Sequence, residues 1–156
     1  MRKIGWGLGV VAVVVAGAFA FTLLTGGPER AEPGGCGHIE KAEKGVARYR
    51  PLDCGAHEAN VRVAKVVDQG SQCPTGGAPY TVFTLAETLC LMPNFVQGAC
   101  YQGDRESGMK KVECTAAMAI RVANVAREPV ECANGQKLTY VEPSVTFCLV
   151  RASDKG

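Results

Sequence analysis

The sequence is poor in the residues that most often carry out chemistry. It has two histidines, His38 and His57, and one tryptophan, and aromatic residues make up only 6% of the chain. No two cysteines stand in C-x-x-C spacing, which excludes a thioredoxin-like redox pair and a zinc ribbon. No glycine-rich phosphate loop leads into a helical stretch. Acidic residues are scattered, with no pair suited to glycoside cleavage. A charge bias is missing too. Arg2 and Lys3 account for two of the seventeen basic residues, so the chain after residue 25 carries fifteen basic against fifteen acidic side chains. Such a balance gives no reason to bind a nucleic-acid backbone, and no nucleic-acid partner is expected. Neither a metal nor a cofactor is expected.

Charge is absent altogether between Ile4 and Leu24, "IGWGLGVVAVVVAGAFAFTLL". As a helix rising ~1.5 Å per residue this run reaches about 31 Å, which matches the hydrocarbon core of a bilayer. It has no polar face, unlike a soluble helix of that length. Residues 1–25 are therefore expected to form an N-terminal transmembrane signal anchor. Arg2 and Lys3 would stay in the cytoplasm and the rest would lie outside. The alternative is a signal peptide cleaved after Ala18-Phe19-Ala20, giving a secreted protein. The run continues past that point to Leu24 and exceeds the ~7–15 residues of a signal core, which favours the anchor. A lipid-modified Cys36 is disfavoured, because "PERAEPGG" separates it from the apolar run. Residues 26–35 read as a Gly/Pro linker.

Beyond the linker stand all eight cysteines: Cys36, Cys54, Cys73, Cys90, Cys100, Cys114, Cys132 and Cys148. An even number in an exported chain reads as a disulfide framework. They fall into two sets of four with similar steps. The phrase "VRVAKVVDQGSQC" (61–73) ends on the third cysteine of the first set, and "IRVANVAREPVEC" (120–132) ends on the third of the second. Cys90 and Cys148 are each followed by leucine, and Tyr80 and Tyr140 each precede the fourth cysteine. The chain thus reads as two copies of one unit, 36–92 and 98–150. Units of this size bury too little surface to be comfortable alone, and two cross-links each at ~2–4 kcal/mol would compensate. Pairing first with second and third with fourth would close two hairpin-like loops. Pairing first with fourth and second with third would tie the first strand to the last. Spacing does not choose between them.

The expected class is mainly β, with a small α+β fold the variant. "VRVAKVV", "YTVFTL", "KKVEC" and "SVTFCLV" read as strands. The alternation in "VRVAKVV" is imperfect, and a sheet partly covered on both faces would account for it. "DQGSQ", "QGDRESG" and "CANGQ" read as turns, with Asn134-Gly135 the best hairpin signal. "GAHEANV" and "TAAMAI" suggest short turns, and "TLAETL" could supply another helical piece. The joint "MPNFVQGA" is short, so the two units should pack together through residues such as Phe95 and Val96.

Few residues compete for a site. His57 with neighbouring Glu58 is the only plausible catalytic pair, and neither His38 nor His57 recurs in the second copy, where Gln102 and Ala117 stand. Ser107 and Lys110 fit the S-x-x-K pattern of penicillin-recognising enzymes but lack the accompanying motifs and the larger domain, so "RESGMKK" reads as a solvated turn. Tyr80 and Tyr140 are expected in the core. No catalytic residue is assigned.

The ordered features are a G-x-C opening, a second cysteine, a valine-rich strand, a third cysteine and a closing C-L, all occurring twice. Together they resemble the LppU-like exported proteins of actinobacteria. "CLMPNFVQGACY" (90–101) is similar to their junction between units, and the four-cysteine unit resembles the septum-formation domain. The resemblance spans Gly34 to Val150. Where an aspartate usually precedes the first cysteine, this chain has Gly35 and Ala99. Ala56 replaces the proline before His57. The resemblance implies an exported, membrane-held fold and no reaction. The expectation is an extracytoplasmic module that binds a protein or cell-wall partner. The alternatives are a small envelope enzyme or an accessory or sensor subunit of a membrane complex.

Overall fold

A computed structural model describes residues 31–41, 47–105 and 107–153. The predicted membrane span and the first half of the linker lie outside the described residues. Among the described residues ten strands run in chain order: β1 (Cys36–Lys41), β2 (Ala47–Leu52), β3 (Val61–Asp68), β4 (Thr81–Thr84), β5 (Glu87–Pro93), β6 (Cys100–Asp104), β7 (Gly108–Val112), β8 (Ile120–Ala126), β9 (Gln136–Val141) and β10 (Ser144–Arg151). They form two five-stranded antiparallel sheets, ordered β2-β1-β3-β5-β4 and β7-β6-β8-β10-β9. The second order repeats the first, element for element. Among the described residues there is no helix, so the fold is mainly β. "TLAETL" is not helical. Leu85 N–H bonds to Glu87 O at 2.8 Å and turns β4 directly into β5. Six residues are too few to nucleate a helix against the pairing of β4 with β5.

The imperfect alternation of the echoed phrase has a definite cause. In β3, Val63 pairs with Leu91 and Lys65 with Cys90, so Ala64 is an extra residue, a β-bulge. In β8, Val122 pairs with Leu149 and Asn124 with Cys148, so Ala123 is the extra residue at the equivalent place. A bulge flips the side-chain parity of the residues beyond it. Val61 and Val63 share a face with Val66, while Ala64 shares the other with Val67.

Both faces of the first sheet are indeed covered. On one, Val61, Val63, Val66, Phe83, Leu89 and Leu91 gather with Ile39 and Tyr49. On the other, Ala64, Tyr80, Cys90 and Met92 join a larger cluster completed by Tyr101, Val122, Tyr140, Phe147 and Leu149 of the second sheet. Val122, Phe147 and Leu149 are the counterparts of Val63, Leu89 and Leu91. The two units therefore meet through unlike faces, as stacked repeats do. Phe95 from the joint fills the seam, its ring 4.8 Å from Tyr101 and 5.3 Å from Phe147. Val96 does not pack as expected. Its side chain is exposed, the residue being 45% accessible, and only its backbone is used: the N–H donates to the Tyr101 hydroxyl at 3.0 Å and the carbonyl accepts from Ala99 N–H at 3.1 Å.

The four disulfides join Cys36 to Cys54, Cys73 to Cys90, Cys100 to Cys114 and Cys132 to Cys148. The first of each pair closes a hairpin, β1–β2 or β6–β7. The second fastens the connection between β3 and β4, or β8 and β9, onto the strand it must pass. That connection corrects the reading of Asn134-Gly135. β8 and β9 are not neighbours, because β10 lies between them, so the dipeptide makes no hairpin. Gly135 is needed for another reason. Its φ is +94°, and a Cβ there would run into the Leu149 carbonyl oxygen.

Candidate functional site

All eight cysteines are consumed by the framework and none is free. Tyr80 and Tyr140 meet at the seam, ring centroids 5.1 Å apart. They are not counterparts. The register sets Phe83 opposite Leu89 and Leu138 opposite Phe147, which makes Tyr80 equivalent to Gly135 and Tyr140 equivalent to Leu85. The Tyr80 hydroxyl donates to Glu142 O at 2.8 Å and accepts from Glu142 N–H at 3.0 Å. Burial, helped by nearby Tyr80, pushes the Tyr140 phenol up to about 12. Both tyrosines are core.

The remaining candidates converge. His38, Glu40, Arg50, His57, Glu58 and Asn60 of the first unit face Ser107, Lys110 and Lys111 of the second across a cleft of about 270 Å³. Strand alternation explains the first unit's share. On β1 and β2, Ile39 and Tyr49 turn into the apolar cluster, so His38, Glu40 and Arg50 turn outward. His57 and Glu58 arrive on the turn that comes after Cys54.

His38 is held by the backbone of the turn after Cys54. Its Nδ1 lies 2.8 Å from Glu58 O. A carbonyl can only accept, so Nδ1 carries the proton and Nε2 is left to face Glu40 Oε2, 3.5 Å away. In the second unit, Gln102 occupies the same position and donates to Ala117 O at 2.8 Å. The imidazole thus fills a structural role that an amide fills elsewhere, with one titratable nitrogen to spare. Arg50 donates to Glu58 Oε2 at 2.8 Å. That bond, and the charge behind it, hold the Glu58 carboxyl below its ordinary value. Glu58 is therefore a paired carboxylate rather than a proton shuttle for His57. Ser107 is committed as well, its hydroxyl and N–H both donating to Asp104 Oδ1, at 2.9 and 2.8 Å. The S-x-x-K resemblance is a turn whose hydroxyl is spoken for.

Asn60 was invisible to motif reading, and it anchors the cleft. Its Oδ1 accepts from Ile39 N–H at 2.9 Å, and its Nδ2 donates to Ile39 O at 3.0 Å and Ser107 O at 2.7 Å. One signal for it was present. Seven steps separate Cys54 from Val61 but only six separate Cys114 from Ile120, and Asn60 is the extra residue. Asn94 does similar work at the joint, donating to Cys54 O and Ala59 O, while its own carbonyl accepts from the Tyr101 hydroxyl.

A larger groove of about 880 Å³ runs beside the Cys132–Cys148 bridge, with Ala123, Gly135, Val150 and Arg151 along it. Its counterpart on the first unit is the face that the second unit covers. No group of three His, Cys, Asp or Glu among the described residues is arranged to hold a metal. Compared with protein-family models, curated proteins and solved structures, the chain matches none.

Proposed function

We propose that this chain is a membrane-anchored extracytoplasmic binding module, of the LppU-like kind that its repeat resembles. It engages a protein or cell-wall partner of the envelope at the cleft between its two units. The observation that carries the reading is the convergence of polar residues that do not repeat. His38, His57, Glu58 and Asn60 have no like counterpart in the second unit, and they gather where the units meet, beside Glu40, whose place Asp104 takes. The cysteines and valines that recur build each unit, and most of the polar residues that differ face one opening. The hydroxyl and the carboxylate there are already bonded to neighbours, which suits recognition by fixed donors better than nucleophilic attack.

The test uses the full chain expressed in its own envelope, with a photo-crosslinking residue at Lys111 or, as control, at Leu85 on the β4–β5 turn. The expected result is a discrete adduct at Lys111 and none at Leu85. Equal labelling at both positions would count against the cleft. Turnover of an envelope substrate that is lost in a folded His57→Ala variant would replace binding by catalysis.

A further inference from the structure

We infer that the cleft is a binding site for a phosphate group, and that protons strengthen it through His38 and His57. This rests on the reading of the cleft as the recognition surface and names the chemistry recognised.

The charge count at the cleft carries the inference. Arg50, Lys110 and Lys111 line the cleft as three fixed cations, Lys111 from the seam face of β7 and Lys110 from its other face at the rim, and Glu40 and Glu58 bring two carboxylates. Glu58 is engaged by Arg50. Lys110 and Lys111 have no ion-pair partner among the described residues. The cleft is therefore positive before either imidazole takes a proton. Of the neighbouring charges, Arg48 stands opposite Glu40 on the hairpin and adds to the positive side, and Asp104 is occupied by Ser107. Protonation of His38 at Nε2 gives Glu40 its own partner at 3.5 Å and removes it as a competitor for the lysines. Protonation of His57 adds a further cation. Lysines act as point charges toward phosphate, and a half-enclosed cleft at a unit junction strengthens them over an open surface.

The repeat supplies variants that keep the scaffold. His38→Gln installs the residue that the second unit has at Gln102, where it makes the same bond. His57→Ala installs the residue at Ala117. Neither change should disturb folding.

The experiment is a titration of the full chain, isotope-labelled in zwitterionic detergent, with inorganic sulfate, whose charge does not change with pH. Resonances of Lys110, Lys111 and the His57 turn should shift saturably, with affinity rising roughly fivefold or more from about pH 8 to about pH 5.5. His38→Gln with His57→Ala should flatten that rise. Lys110→Gln with Lys111→Gln should lose roughly tenfold at both pH values, and Glu40→Gln should gain. Glycerol phosphate and anionic phosphatidylglycerol micelles then compete with sulfate as two sources of the same group. The stronger competitor identifies a soluble polymer or a lipid headgroup as the source. Competition by neither means an adventitious ion only and overturns the inference. So does an absence of shifts, unchanged affinity in the lysine variant, or shifts confined to the groove beside Cys132–Cys148. If sulfate fails while the Lys111 adduct still forms, the binding module stands and only its anionic ligand falls.

Discussion

Replacement of Asn60 tests whether its side chain really substitutes for a backbone rung. β1 and β3 pair through their backbones only at Cys36↔Arg62 and Gly37↔Val61. Beyond Gly37 the Asn60 amide takes over, bonding both polar groups of Ile39 and reaching Ser107 O in the other unit. The residue is 7% exposed. Asn60→Ala leaves one N–H and two carbonyls short. An unpartnered buried group costs about 1–3 kcal/mol, and Ile39 and Ser107 are only half-buried, so water relieves part of the loss. The expected destabilisation is about 2–4 kcal/mol.

Asn60→Asp sharpens the test because it keeps the shape. It still accepts from Ile39 N–H, but it places a second carboxylate oxygen against two carbonyl oxygens that need a donor. At neutral pH it should be worse than alanine. Repulsion and burial raise its folded pKa above the ordinary value of ~3.9, so its folded state is favoured below that value and loses ground as pH rises. The penalty relative to wild type should therefore shrink on acidification, as the protonated carboxyl regains a donor. Urea unfolding with disulfides intact, at about pH 7 and about pH 4, measures each variant against wild type at the same pH. An aspartate variant within about 0.5 kcal/mol of wild type at pH 7, or a penalty that grows in acid, would refute the surrogate-rung argument.

The same geometry sets other expectations. Non-reducing peptide mapping should recover four cross-links, 36–54, 73–90, 100–114 and 132–148, with no alkylatable thiol. Replacing Cys132 and Cys148 by alanine should cost about 3 kcal/mol, as expected for a loop of roughly 15 residues. Phe95→Ala opens the seam and should cost about 3–5 kcal/mol by denaturant melts, while Val96→Ala should stay within about 0.5 kcal/mol. In an ultraviolet titration Tyr140 should ionise only at about pH 12, while Tyr49 and Tyr101, which burial also raises, add to the ionisation above the ordinary phenol value. Because its folded pKa is raised, its contribution is whole below the ordinary phenol value and is lost as pH climbs toward the folded one. Tyr140→Phe should remove that late step.

Much of the architecture was legible because it is written twice. The β class and the doubled unit are read from cysteine order and valine-rich strands, which are local signals. The echoed "RVA" also held the bulge, though only as a broken alternation. Fixing Ala64 and Ala123 as the extra residues needs the partner strands Cys90–Leu91 and Cys148–Leu149, which lie far along the chain. The disulfide pairing was equally illegible, since both hairpin closure and first-to-last closure suit the same spacings. Asn134-Gly135 misled for a related reason. Left-handed glycine serves a hairpin and a close backbone approach equally well, and only topology separates them. The cleft was the least legible. A chain that is neutral after its first 25 residues can still set three cations around one opening, and no overall count reveals that placement.

The lack of repetition has a physical logic in a stacked pair. If both units were identical, each would present one face to its neighbour and leave the matching face open, and the stack could continue. This chain breaks the series at its second unit. Tyr80, Lys65 and Pro93, which line the covered face of the first unit or its edge, correspond to Gly135, Asn124 and Arg151 in the second. The loss of the Tyr80 ring removes the group that would seat another Tyr140, and Lys65, which bonds Glu142 at 2.6 Å across the seam, becomes an amide. The same divergence that ends the stack also frees the junction to differ from either unit alone. Asn60 and Asn94 each make bonds there that their counterparts cannot, the first having none and the second being Ala152. A junction built from unique residues is fixed in geometry without being bound by the demands of the repeat. That is the place in a duplicated scaffold where recognition can be added at least cost to folding.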